Sequence, residues 1–137
     1  MKKLAVIAIS VSLLGGCANR FSDENRNWIK PVSVSSICVT DNAKVTFDMK
    51  TMIEQSAINN NVEVNCTEYD AKITYTAQHY FDLHKPLANA TLNIIDNNGN
   101  LIGGFSFYQA KNMFVGDTYF SSNEEILNPI LDEMFNK

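Results

Sequence analysis

The sequence predicts an α+β fold, a two-layer sandwich of order β-α-β-β-β-α with two helices on one face of a mixed sheet. Three observations predict it. Residues 71–83, AKITYTAQHYFDL, alternate with period two over thirteen positions, as a strand with one buried face does. Two other segments, near 41–61 and 122–137, repeat apolar residues at helical spacing. Between two further apolar runs lies DNNGN, 96–100, whose Asn and Gly residues supply the positive φ of a hairpin turn. Amphipathic helices and one-sided strands each need a partner layer, and stacking one on the other satisfies both.

The elements follow in order. VSVSSICVT, 32–40, is short, β-branched and introduced by Pro31. Its alternation slips between Val34 and Ile37, which predicts a bulge or a late start. Val45, Met49, Met52, Ile53 and Ala57 then form one helical stripe of core residues. Asp41 or Asn42 is placed to cap its start, and Asn59–Asn61 to end it. VEVNC, 62–66, is a second short strand, and strand–helix–strand predicts a parallel crossover.

In the long strand Ile73, Tyr75, Ala77, His79, Phe81 and Leu83 share the inward face, and Lys72, Thr74, Thr76, Gln78, Tyr80 and Asp82 the outward one. Pro86 then interrupts. Ala88, Ala90, Leu92 and Ile94 point inward from the next strand, and Leu101, Phe105 and Phe107 from the return strand. Gly103 and Gly104 mark a bulge or a close approach by the helix layer. Residues 110–120, AKNMFVGDTYF, are too apolar for a solvated loop and read as a small hairpin or docking segment. In the last element Ser122 and Glu125 have capping-box spacing, and Ile126, Leu127, Ile130, Leu131, Met134 and Phe135 share a face. Pro129 inside it is expected to kink the helix or reset its start.

The N-terminus carries different information. Lys2 and Lys3 precede an apolar run of about eleven residues, half the length needed to span a bilayer and suited to a signal-peptide core. The run ends in Leu14-Gly15-Gly16-Cys17, which resembles the lipobox of bacterial lipoproteins. That resemblance implies cleavage before Cys17, a thioether-linked lipid on its sulfur and an acyl chain on its new amino group. Several acyl chains, at about 0.8 kcal/mol per buried methylene, make a lasting anchor. Ala18 stands where an aspartate would be the family's usual inner-membrane retention signal, so the resemblance implies the outer membrane, with the domain facing the periplasm. The expected organisation is a signal peptide over 1–16, a lipidated cysteine and flexible tether over 17–30, and one α+β domain over 31–137.

Composition narrows the partners. The formal net charge is −4 before Lys2 and Lys3 are removed, and the chain has no basic cluster. Nucleic-acid binding rests on such clusters and is not expected. Membrane association is expected through the lipid rather than through surface charge. With Cys17 assigned to lipid, Cys38 and Cys66 remain, and an even pair in an oxidising compartment reads as a disulfide. The other use of such cysteines is a zinc site, but His79 and His84 lack matching spacing, so no metal and no cofactor is expected.

No phosphate loop, nucleophile elbow or metal motif is present, and the chain is read as a binding or accessory protein rather than an enzyme. His79, on the apolar face, reads as a core histidine with a hydrogen-bond partner. The alternative is an envelope enzyme or small-ligand-binding domain with a cleft near His79, Asp82 and His84, since a histidine–carboxylate pair can orient a general base. A two-layer domain leaves the other sheet face open. There Tyr80, Ile95, Ile102 and Tyr108 stand among small polar residues and, with Phe114 of the 110–120 segment, form a candidate surface for another envelope protein.

Several of these stretches together, ICVTDN, VTFDMKTMI, Cys66, ITYTAQHYFDL and ANATLNIIDNNGNLIGG, resemble the "Sbal"-type family of uncharacterised Gram-negative bacterial lipoproteins. The likeness covers roughly residues 33–108 and weakly the last helix. Cys38 and Cys66 match the family's cysteine pair. The chain departs from the family in having Tyr80 and Phe81 where a tryptophan-rich version is usual, and in lacking paired glycines after the last strand. The resemblance implies the anchor, the disulfide and the fold, and no substrate.

Overall fold

The computed structural model describes residues 28–81, 85–109 and 121–136. Six strands form one mixed sheet: β1 (Trp28–Lys30), β2 (Ser36–Val39), β3 (Glu63–Val64), β4 (Ala71–His79), β5 (Leu87–Asp96) and β6 (Leu101–Tyr108). Helix α1 (Met49–Asn59) lies between β2 and β3 in sequence, and α2 (Asn123–Phe135) follows β6. The strand order is β1-β6-β5-β4-β2-β3. β2 runs parallel to both β3 and β4, and the remaining pairs are antiparallel. The α+β class and the parallel β2–α1–β3 crossover are therefore present. Both helices pack on the face that carries Ile73, Tyr75, Leu92, Ile94 and Phe105, and Met49, Ile53, Leu127, Leu131 and Met134 complete that core. Across the helix pair the Ser56 hydroxyl donates to Asp132 Oδ1 at 2.7 Å.

Five local expectations are corrected. The tether does not extend to Lys30, because Trp28–Lys30 form β1, paired antiparallel with β6 through Trp28↔Ser106, Ile29↔Phe105 and Lys30↔Gly104. Three residues are too few to show a period, and only the partner strand makes them a strand. The helix begins at Met49 rather than near Asn42. Asp48 caps it by accepting from the Thr51 amide at 3.1 Å and from the Thr51 hydroxyl at 2.8 Å. Asn42 is instead bound to β4, with its amide Nδ2 donating to the Tyr75 carbonyl at 2.8 Å. Val45 and Phe47 reach the core from irregular chain. The end of α1 is as read, since Asn61 has φ of 62°.

β4 stops at His79, and Phe81, expected inward, is fully exposed. In β6 the pairing passes from Ile94↔Gly103 to Ile95↔Leu101, so one extra residue is accommodated on β6. This β-bulge turns Leu101 to the open side, 53% exposed, and leaves Ile102 packed against the core. Both were expected the other way round. The bulge expected at the glycine pair is thus present, and the glycines also admit a close approach, by neighbouring sheet chain rather than by the helices. A Cβ on Gly103 would sit 3.0 Å from the Lys30 carbonyl and from Val32 Cβ, and one on Gly104 would sit 2.1 Å from the Leu92 carbonyl. Finally, α2 runs through Pro129 without resetting its start, capped by Ser122, whose hydroxyl accepts from the Glu125 amide at 3.1 Å. Pro129 and Glu125, whose carbonyl loses its helical donor, are both exposed, so water can serve that carbonyl.

Candidate functional site

Among the described residues one face of the sheet is uncovered, and its composition follows directly from the strand register. Strand neighbours align into four rows: Trp28, Ser106, Thr91 and Thr76; Lys30, Gly104, Asn93 and Thr74; Tyr108, Asn89 and Gln78; and Leu101, Ile95, Lys72 and Cys38. With strands about 4.8 Å apart, each four-strand row spans about 15 Å, and successive rows lie about 7 Å apart. The centre consists of hydroxyl and amide side chains. Two of the amides already bond across strands, Asn89 Nδ2 donating to Gln78 Oε1 at 3.1 Å. Each uses one of its four hydrogen-bonding positions in that contact.

Apolar groups lie at the periphery of the rows. Trp28 is 40% exposed and Tyr108 41% exposed, and with Leu101 they make up three of the five large hydrophobic residues most open to solvent among those described. Beside Tyr108, Tyr80 is half-buried and its hydroxyl donates to the Gln109 carbonyl. Burial, and then the neighbouring Tyr108 hydroxyl, raise the Tyr80 pKa above the ordinary tyrosine value. The two phenols and the Gln78–Asn89 pair flank a groove of about 550 Å³ that also meets Lys44 and His79.

Charge is divided between the two layers. The helices and their caps carry Asp48, Glu54, Glu124, Glu125, Asp132 and Glu133. The outward positions of β1, β4, β5 and β6 carry Lys30 and Lys72 and no carboxylate, and the strand carboxylate on this face is Glu63 at the far edge, on β3. The ion pair found among the described residues joins Lys50 to Glu54 within α1, so neither Lys30 nor Lys72 is paired there.

The structure thus gathers part of the sequence-derived surface. Ile95 and Tyr108 share the face, Tyr80 adjoins it at the groove, and Ile102 is turned toward the core. Phe114 lies outside the described residues, as do Cys17, Asp82 and His84. Sequence reading missed Trp28, Leu101 and Lys30 as members, and it placed Lys72 on the outward face without giving it a role. The chain's single tryptophan, four residues ahead of the first strand expected from sequence, was the available signal for Trp28. His79 faces α2, where its Nε2 lies 2.9 Å from Asn123 Oδ1, and its ring meets Phe47 edge-on with centroids 5.3 Å apart. It is half-buried and joins the end of β4 to the start of α2, which matches its reading as a packed histidine with a partner.

Cys38 and Cys66 form a disulfide with Cα atoms 4.6 Å apart. It secures the sheet edge where β3 contributes only two residues. A 28-residue separation corresponds to about 3.6 kcal/mol in the chain-entropy account.

No family model matches the chain, and no curated protein does. Among solved structures it is similar to a minor lipoprotein from Acinetobacter baumannii, with 17% identity, a TM-score of 0.39, and coverage of 74% of this chain and 86% of that one. It is also similar to a PDZ domain protein from Parabacteroides distasonis, with 11% identity, a TM-score of 0.46, and coverage of 90% of this chain and 39% of that one.

Proposed function

We propose that this chain is an outer-membrane-anchored periplasmic lipoprotein that binds another component of the cell envelope through the open face of its sheet. The observation that carries the reading is that face itself. One side of the sheet is sealed by two helices, while the other presents Trp28, Leu101 and Tyr108 around an ordered field of hydroxyls and amides. Exposed aromatic and aliphatic groups set among small polar ones are what a partner surface requires. The Leu-Gly-Gly-Cys sequence supports the anchor, and the Cys38–Cys66 disulfide suits an oxidising compartment. The reading is of a binding rather than a catalytic protein, with no cofactor beyond the lipid on Cys17.

The test is in-cell photo-crosslinking from positions 101 and 108, with position 58 on α1 as the control. Ile58 is 55% exposed, so it samples the opposite layer equally well. The reading expects adducts from 101 and 108 that are absent from 58. Equal trapping from all three, or none from the sheet, refutes it. Cys17→Ala tests the anchor separately: the chain should leave the membrane pellet.

A further inference from the structure

The chemistry of the open face narrows what it can hold. Its centre has seven uncharged hydrogen-bonding side chains, Thr74, Thr76, Gln78, Asn89, Thr91, Asn93 and Ser106, spread over three adjacent strands. A protein interface usually concentrates aromatic and aliphatic residues at its middle and puts polar groups at the rim. This face inverts that arrangement. A lipid surface would be met by apolar side chains and basic residues, and gains nothing from an ordered amide and hydroxyl array. A polyhydroxylated polymer does gain, because each hydroxyl donates and accepts and finds a fixed partner in the array. Sugar rings also present C–H faces, which pack against exposed aromatic rings such as Trp28 and Tyr108.

Charge supplies the second constraint. On a chain of net charge −4, an anionic polymer is repelled by the helix layer and attracted only where carboxylates are missing. Lys30 and Lys72 stand on the open face, both exposed and both without an acidic partner among the described residues. They lie on β1 and β4, three strand spacings across and one row along, about 16 Å apart, on opposite sides of the hydroxyl–amide field. We infer that the open face binds an acidic polysaccharide: sugar rings lie across the Thr/Asn/Gln field and against Trp28 and Tyr108, and anionic substituents reach Lys30 and Lys72. This rests on the proposed use of the face for binding and names the class of partner.

The experiment uses the full chain in nonionic-detergent micelles. Sodium polygalacturonate is the probe, neutral dextran the uncharged comparison and phosphatidylglycerol vesicles the lipid comparison, each measured by calorimetric titration at two salt concentrations. The expected result is binding to polygalacturonate that weakens with salt and exceeds binding to dextran and to vesicles. Lys30→Gln with Lys72→Gln should weaken it about tenfold, and Trp28→Ala by a similar factor. All three side chains are exposed, so the thermal midpoint should stay near that of the wild type and separate lost binding from lost folding. No binding to polygalacturonate, equal binding to dextran, preferential binding to vesicles, or binding indifferent to these substitutions overturns the inference. Position-specific protein adducts from 101 and 108, with no polysaccharide binding, would overturn it while leaving the binding function of the face intact. Absence of both would remove the two readings together.

Discussion

Gly104 offers the sharpest test of the sheet geometry. Its φ is 143°, and a Cβ built there would lie 2.1 Å from the Leu92 carbonyl oxygen. Gly99, in the hairpin, also has positive φ, 84°, but a Cβ there meets nothing within 4 Å. The two positions separate conformational strain from collision. Gly99→Ala should cost about 1–2 kcal/mol, the penalty for placing an L-residue at positive φ. Gly104→Ala adds a collision to a comparable strain. Leu92 is fully buried in β5, which is paired on both sides, so its carbonyl cannot retreat without moving β4 or β6. Forced overpacking costs about 1–3 kcal/mol beyond the strain, giving about 2–5 kcal/mol in all. Urea unfolding of the full chain in micelles, followed by far-ultraviolet circular dichroism, reads both. The expected result is a much lower midpoint for Gly104→Ala with an unchanged m value. A Gly104→Ala variant within about 1 kcal/mol of Gly99→Ala would refute the close approach of β6 to β5 at this point.

Other expectations follow from the same geometry. Replacing Cys38 and Cys66 together by Ser should lower stability by about 3.6 kcal/mol, and reductant should reproduce the loss in the wild type but not in the variant. Ser122→Ala should cost about 1 kcal/mol by removing the hydroxyl that accepts from the Glu125 amide, measured by the same denaturation. Asp48 is held below the ordinary carboxyl value of 3.8 by its bonds from Thr51, and Asp96 by backbone bonds from Asn100 and Asn98 in the hairpin. Their contribution is complete above 3.8 and is lost as pH falls through the lowered folded values. Acid should therefore destabilise the wild type below about pH 4 more steeply than Asp48→Asn with Asp96→Asn, as pH-dependent unfolding will show.

Where the chain reports its own fold, the signal is periodicity. The alternation of β4 and β5 placed Ile73, Tyr75, Leu92 and Ile94 in the core before any contact was known, because a strand's two faces are written two residues apart. The same rule failed in β6 for a definite reason. Alternation assumes an unbroken ladder, and the bulge between Leu101 and Gly103 inserts one residue and exchanges the faces of Leu101 and Ile102. Helix α1 was visible in its stripe but not in its boundary. Asp41, Asn42 and Asp48 are all competent caps by type, and only the bond from Asn42 to Tyr75, a residue 33 positions away, decides among them.

Legible in the chain alone are the layer composition, the inward faces of β4 and β5, the helix stripes, the Asn-rich turns and the pairing of Cys38 with Cys66. These rest on short-range spacing and on residue chemistry, which the chain states locally. Only contacts between distant segments settle which residues complete the open face at its edges. Trp28 and Lys30 join it because three residues after the N-terminal stretch found the edge of β6, and Leu101 joins it because one residue, Ile102, is inserted six positions before Tyr108. Strand order, edge pairing and bulges are set by contacts between distant segments, where the free energy of docking, rather than any local preference, selects the partner.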